Sequence, residues 1–311
     1  MTTPSSIFGT ISHAVLFVAR LPLFLVNAAV YFLLLQYLPL PAIVNKLLLW
    51  CLLAIPGLWW VDLRLDGVKP GSLSQQPPSR VPHGGSIIAA NFTTPLDALY
   101  LAAVFNPIFV SAHPASRKVR RISLLSAIFA ALSPSAQLSS LPAWEKENRG
   151  DLTTLRALAA AHPNRIVAVF PECGTTNGKG ILPLSPCLLT AAAGTPIFPV
   201  SMRYTPPDVA TPVPGYKGWA GFLWKLFGRP THCIRVRIAE AIRNTAGAAN
   251  GVSEEVPEGE EERGAGEEQP TAEEQKVLDR VAEALARLGR VKRVGLTLKE
   301  KKAFVEAWAK R

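Results

Sequence analysis

Two stretches decide the fold: residues 86–97, SIIAANFTTPLD, and residues 166–180, IVAVFPECGTTNGKG. Each opens as a short apolar run and then breaks into Asn, Thr, Pro, Glu and Gly, the residues that end strands and start turns. Ser86 to Ala90 and Ile166 to Phe170 therefore read as buried strands. Three further runs match them: Ile108 to Ala112, Ile197 to Tyr204 and Cys233 to Ala239. Between them Leu96 to Phe105, Leu152 to Ala161 and Leu184 to Ala193 supply helical turns. The alternation predicts an α/β domain with a central, mostly buried sheet and flanking helices. Binding sites in such folds gather on loops beyond the strand ends, where polar side chains and backbone N–H groups make anion-binding clefts.

Toward the N-terminus the chain changes character. Leu21 to Asn45 is a run of 25 uncharged residues, and after Lys46 a second run of 15 reaches Val61. A bilayer span needs about 20 apolar residues, so the first run is long enough and the second is short. Leu38-Pro39-Leu40-Pro41 offers a turn between them, which makes residues 1–62 a membrane-anchoring hairpin or re-entrant pair with Trp59 and Trp60 at headgroup level. No Lys or Arg precedes Arg20, so a secretory leader fits badly.

The main domain is assigned to residues 63–243. Residues 244–274 read as an acidic disordered insertion, because large apolar residues are almost absent and ordering entropy cannot be offset by burial. Residues 275–311 complete the domain with an amphipathic helix carrying Val277, Leu278, Val281, Leu285 and Leu288, then a basic helix opened by the capping box of Thr297 and Glu300. That last helix, with Phe304 and Trp308 among lysines, suits either a membrane surface or packing against the domain.

Charge limits the partners. Lys and Arg number 33 and Asp and Glu 23, but ten of the acids lie between Ser253 and Glu274; elsewhere 32 bases face 13 acids, a net +19. So basic a body seeks anions such as phospholipid headgroups, phosphorylated small molecules or nucleic acid. A nucleic-acid role is disfavoured, since the bases are not interleaved with aromatics in any recognition module. The four cysteines form no Cys-x-x-Cys pair and have no His at ligand spacing, so neither a metal site nor a disulfide framework is expected. Gly174, Gly178 and Lys179 fall short of a Walker loop, and no Gly-x-Ser-x-Gly elbow supplies a serine nucleophile.

Asn91-Phe92-Thr93-Thr94-Pro95-Leu96-Asp97, with Phe170-Pro171-Glu172-Cys173-Gly174-Thr175-Thr176-Asn177-Gly178-Lys179 after it, resembles the paired blocks of the glycerol-phosphate acyltransferase superfamily. The similarity is greater to the fungal lysophosphatidic acid:oleoyl-CoA acyltransferases, with an Asn-x-Thr-Ser-Pro-Leu-Asp block, a Glu-Gly-Thr-x-x-Asn-Gly-Lys block and a basic C-terminal tail. It covers roughly residues 40–311. The resemblance implies an acyltransferase-type domain that moves a fatty acyl group from acyl-CoA to a lysophospholipid, giving phosphatidic acid. It also implies no cofactor beyond acyl-CoA as co-substrate, a bilayer as partner, and a site facing the cytosol from endoplasmic reticulum or lipid droplet. The superfamily's catalytic His falls on Phe92 and its Asp on Asp97; its Gly and Thr after Glu fall on Cys173 and Gly174.

Residue roles follow from that register together with chemistry. Thioester transfer needs a base only for the attacking hydroxyl, because a thiol of pKa near ~8.5 leaves readily. Asp97 is the first candidate base, directly or through a water. His113, after the second strand, is another candidate, although a lone His is more often structural. Thr93 and Thr94 can orient the hydroxyl but cannot act as bases near neutral pH, and Thr94 equally suits a helix cap before Pro95. Substrate binding is assigned to Asn91, Glu172, Gly174, Thr175, Thr176, Asn177, Gly178 and Lys179, with Glu172 on a glycerol hydroxyl or bracing the loop. Arg117, Lys118, Arg120 and Arg121 are candidates for CoA or headgroup phosphates, or a solvated basic face. The alternative from another class is a catalytically silent, lipid-binding or trafficking-linked relative that kept the fold and lost the base.

Overall fold

The computed structural model describes residues 7–38, 41–69, 76–132, 141–211, 213, 216–244 and 270–309. An apolar hairpin leads in: α1 (Ile7–Leu33) and α2 (Ala42–Ala54). The order then runs β1 (Leu58–Leu65), β2 (Ile87–Ala90), α3 (Pro95–Phe105), β3 (Ile108–Ala112), β4 (Val119–Ile122), α4 (Leu124–Ala130), α5 (Leu141–Glu147), β5 (Leu152–Thr153) and α6 (Leu155–Ala161). After these come β6 (Val167–Val169), β7 (Gly180–Ile181), β8 (Pro196–Thr205), α7 (Tyr216–Gly228), β9 (His232–Ile238), β10 (Ile242–Arg243), α8 (Ala272–Gly289), β11 (Lys292–Arg293) and α9 (Leu298–Ala309).

The large sheet has the order β1-β9-β8-β2-β6-β3-β4-β5, with β10 also on β8. Its centre, β8-β2-β6-β3, is parallel, whereas β8 with β9, and β3 with β4, pair antiparallel. Successive strand residues face opposite sides. Ile88 and Ala90 therefore enter a core with α2, α3 and α7, while Ile87 and Ala89 enter another with α6 and α8. Burial on both sides explains why the central strands read as unbroken apolar runs. β2 and β6 end together in register, so their following loops leave from one sheet edge.

Several boundaries move. The second uncharged run is not one membrane segment, because the hairpin's predicted end at residue 62 falls inside a strand. The chain turns at Gly57, where φ is +91°, and then runs as the edge strand β1, parallel to β9 with a register shift between Leu58 and Trp60. Trp59 and Trp60 are 71% and 73% exposed on that strand. Leu184 to Ala193 yields only a 3₁₀ turn over Pro186–Thr190, since Pro186 suits a first turn but offers no N–H to a longer helix. Leu152 and Thr153 form an edge strand and leave the helix to start at Leu155. Residues 245–269 of the predicted insertion lie outside the described residues, but its ends are structured. Asn244 is buried, its amide donating to the Leu189 and Ala191 carbonyls, and Thr271 with Glu274 caps α8.

The hairpin lies side-on against the domain. Phe17 and Phe24 of α1 meet Trp224 and Phe227 of α7 at ring separations of 5.2 and 5.1 Å. Tyr31 donates to Asn45 Oδ1 at 2.8 Å, joining the two helices, and Arg20 donates to the Arg229 and Pro230 carbonyls. The opposite face of α1, with Phe8, Val15, Val18 and Val26, is exposed. α1 is the one described helix long and apolar enough to cross a membrane.

Candidate active site

The loops after β2 and β6 are tied together by the Thr176 N–H, which donates to the Phe92 carbonyl at 2.8 Å. Around this tie sit two buried carboxyls, Asp97 and Glu172.

Asp97 lies in the first turn of α3, where Pro95 supplies a ready-made helical φ and the missing N–H costs nothing. Its Oδ2 accepts from the Thr93 N–H at 2.7 Å, the Thr93 hydroxyl at 3.0 Å and the Thr94 N–H at 3.0 Å; Oδ1 accepts from the Tyr204 hydroxyl at 2.8 Å. The side chain is fully buried, and burial pushes the carboxyl up to about 6 against the downward pull of these bonds. Burial, with the neighbouring Asp97, also holds the Tyr204 phenol well above its ordinary value, so it remains a donor. The buried Thr94 hydroxyl faces the Asp97 N–H in a capping box on α3, completed by the Thr94 N–H bond to Asp97 Oδ2, and its own proton has no acceptor among the described residues. Tyr204 was not among the residues singled out by sequence, although its alternation along β8 places it on the same face as Val200 and Met202.

Phe92 stacks on Phe170 at 4.2 Å with an interplanar angle of 17°, within the core. Asn91 clamps strands rather than facing a ligand: its amide donates to the Met202 carbonyl at 2.9 Å and its oxygen accepts from the Met202 N–H at 2.7 Å. His113 is also corrected. Its ring accepts from the Ala115 N–H and lies against Trp144, after a strand two places from β2, on the order of 10 Å across the sheet.

In the second loop, Glu172 Oε2 accepts from the Leu182 N–H at 3.1 Å, which braces the loop, and the Phe92 N–H of the first loop also bears on this buried carboxyl. Burial raises this carboxyl to about 8. Cys173 takes φ +54°, where the superfamily has Gly, and its side chain packs in the lower core. Thr175, predicted to donate to a ligand, donates instead to the Thr211 carbonyl at 2.7 Å, and the Thr211 N–H closes back on the Thr93 carbonyl at 2.8 Å. Thr176 Oγ1 accepts from the Gly178 N–H at 3.3 Å, and Asn177 Oδ1 from the Lys179 N–H at 3.0 Å, so both shape the turn. Gly178, at φ +66°, faces the Thr93 methyl; Lys179 is exposed, and Gly174 is buried.

The basic run does not act as a unit. Arg117 makes a two-pronged pair with Glu274 at 2.7 and 2.9 Å, holding that carboxyl down to about 2, and so ties β4 to α8. Arg120 bonds to the buried Asn148, leaving Lys118 and Arg121 exposed. Arg121 pairs with Val110 at the middle of β3 and borders a cleft with Arg165. The residues that do converge are thus Thr93, Thr94, Asp97, Tyr204, Glu172 and Thr175, together with Lys301. Lys301 comes from α9, 126 residues beyond Thr175, and its Nζ donates to the Thr175 carbonyl at 2.5 Å.

No family model matches the chain. Over 232 residues it is 28% identical to a Schizosaccharomyces pombe protein provisionally named lysophosphatidic acid:oleoyl-CoA acyltransferase, covering 70% of this chain and 71% of that one. The resemblance carried by the two blocks is therefore to this group. Among solved structures, the 1-acyl-sn-glycerophosphate acyltransferase PlsC of Thermotoga maritima aligns with 89% of this chain and 95% of its own, at 17% identity and a TM-score of 0.42.

Proposed function

We propose that the protein is a membrane-associated acyltransferase that moves a fatty acyl group from acyl-CoA to the free hydroxyl of lysophosphatidate, giving phosphatidate. The observation that carries this reading is the union of the two loops by the Thr176–Phe92 bond, which sets the Thr93–Asp97 pair beside the Glu172–Lys179 loop. The superfamily's His position is filled by Phe92, so the base must come from elsewhere.

Thr93 supplies the link. Its hydroxyl donates to Asp97, leaving its own lone pairs to accept a proton from the attacking lysolipid hydroxyl. As the new C–O bond forms at the thioester carbonyl, the lysolipid proton passes to Thr93 Oγ1 and the Thr93 proton to Asp97 Oδ2. The C–S bond then breaks, and CoA leaves as a thiolate that takes the proton back from Asp97 through Thr93, which restores the carboxylate. A carboxyl near 6 is ionised at neutral pH yet more basic than an exposed Asp, which suits a general base. The Thr94 hydroxyl, which caps α3 as an acceptor, keeps its proton uncommitted and available to donate to the developing oxyanion. The reaction needs no redox or metal cofactor, and acyl-CoA serves as co-substrate. The apolar hairpin would bring the lysolipid from the cytosolic leaflet of endoplasmic reticulum or lipid droplet, with CoA arriving from the aqueous side.

One observation favours the silent-relative reading: Asp97 is fully buried and already holds four donors. Release of CoA thiol by the full chain in detergent, given oleoyl-CoA and lysophosphatidate, separates the two. Turnover should require lysophosphatidate, decline as pH falls through about 6, and drop ~10²-fold or more in Asp97→Asn, the usual worth of a positioned base. Equal rates in wild type and Asp97→Asn would remove the base assignment. No turnover by wild type, with lysophosphatidate still bound, would establish the silent relative.

A further inference from the structure

The C-terminal segment is fastened directly over the second loop. β11 pairs in parallel with β7, and Leu298 of α9 packs over Gly174, where an added Cβ would lie 3.0 Å from Leu298 Cδ2 and 3.4 Å from Lys301 Nζ. A Cβ there would press on the Leu298 side chain, so glycine eases the close approach of α9. The approach carries the Lys301 ammonium to the Thr175 carbonyl at 2.5 Å and to within 3.4 Å of the Thr175 hydroxyl.

We propose that Lys301 is the cation that reads the phosphate monoester of the acceptor, an assignment that rests on the lysophosphatidate reading above. The loop's own lysine, Lys179, is exposed, whereas Lys301 enters the loop from the side that Glu172 and Thr175 line. An ammonium has three N–H directions, and Thr175 engages two of them, through contacts that an incoming phosphate oxygen can replace. Glu172, a fully buried carboxyl braced by the Leu182 and Phe92 N–H groups, is the acid whose charge couples to Lys301. Burial strips water from the ammonium and lowers it to about 8, so it remains charged at neutral pH and acts in a medium where charge–charge attraction is stronger. Glu172, raised to about 8 by the same burial, is mainly neutral there and can donate its proton to a phosphate oxygen rather than repel it.

The charged groups that bear on Lys301 and Glu172 are each other and, for Glu172, Asp97. As pH rises through about 8, Lys301 loses its charge and Glu172 gains one, and both changes weaken phosphate binding. The KM for lysophosphatidate should therefore climb on the alkaline side while kcat holds.

The test uses the full chain in mixed micelles with oleoyl-CoA and two acceptors, lysophosphatidate and the phosphate-free monooleoylglycerol. Lys301→Met should raise KM for lysophosphatidate ~10–100-fold, the loss of one charge-assisted contact, and cost monooleoylglycerol, which has no phosphate to lose, at least ~10-fold less. Lys301→Arg should restore most of the affinity and flatten the alkaline rise. An unchanged KM for lysophosphatidate in Lys301→Met, or an equal loss with both acceptors, would overturn the assignment. Should Lys301→Met fail to fold, Lys301→Arg decides alone, since an alkaline limb identical to wild type would equally overturn it. If wild type turns over neither acceptor, the acyltransferase reading fails by itself; lysophosphatidate binding by equilibrium dialysis then judges Lys301 with the same variants.

Discussion

Phe92 shows how a residue of the first loop can lie beside the candidate site without facing it. Its ring is 2% exposed and stacked on Phe170, so an imidazole introduced there would enter an apolar core. Phe92→His should destabilise the fold and bring no gain in turnover, and Phe92→Ala should cost ~3–5 kcal/mol, both measured by denaturant unfolding. A Phe92→His variant faster than wild type would show that the ring swings into the cleft. Glu172 gives a second prediction. Its folded value, about 8, lies above the ordinary 4.5, so the fold favours the protonated form and wild type loses stability as pH rises from 4.5 through 8. Glu172→Gln should flatten the decline between pH 6 and 8, where Asp97 is already mostly ionised; the slope removed is at most ~1.4 kcal/mol per pH unit. Lys301, lowered to about 8, acts with the opposite sign above that pH, which keeps the window clean. Melting curves of both proteins across this range check it. Asp97 and the 172–179 block were legible because polar residues directly after an apolar run have nowhere else to be. The partners of Asp97 and Thr175 were not, since Tyr204, Thr211 and Lys301 reach them across more than a hundred, thirty-six and 126 residues, respectively.

At the scale of elements, the central strands were plain in sequence and the sheet edges were not. β2 and β6 are buried on both faces and wholly apolar, and β3, β8 and β9 keep a buried apolar face even where Ser111, Arg203, Arg235 and Arg237 interrupt them, whereas β4 carries Arg120 and Arg121 on a single strand, and β1 hides its period behind the apolar run of the hairpin. A charge run and an edge strand are compatible, because one face of such a strand can remain wet. The junction of α2 and β1 depends on Gly57: at φ +91° an added Cβ would come within 2.6 Å of the Pro230 carbonyl oxygen. The Gly57 carbonyl also accepts from the His232 N–H at 2.8 Å, where β9 begins. Gly57→Ala should thus combine left-handed backbone strain with displacement of the β9 lead-in, costing at least ~2 kcal/mol. Equilibrium unfolding reads the loss, and wild-type stability in this variant would mean that the junction relaxes freely. Arg117 and Glu274 perform the corresponding task across the sheet, locking the first turn of α8 to β4.

For the whole molecule, the hairpin's exposed face and the basic body point to the same partner by different physics. Phe8, Val15, Val18, Val26, Ile43 and Leu47 form an unburied apolar surface on α1 and α2, and Trp59 and Trp60 extend it along the edge strand. Meanwhile Phe17, Leu21 and Phe24 on the other side of α1 pack into the core, and Leu49, Leu52 and Leu53 of α2 are buried outright. The hairpin is therefore part of the domain's stability as well as, under the proposed function, its contact with lipid, and its removal would open the core. The net +19 outside the acidic stretch would draw the protein toward anionic lipid, but only over about a Debye length and only at low salt. The two contributions separate in one measurement. On phosphatidylcholine vesicles containing phosphatidate, 1 M salt should slow association and leave most of the protein bound. The double change Trp59→Ser with Trp60→Ser should weaken partitioning ~10-fold or more at any salt, since each indole buries large apolar area. Full release of wild type by salt alone would make charge, not the apolar face, the anchor, and would cut the link between the hairpin and the delivery of lysolipid to Asp97.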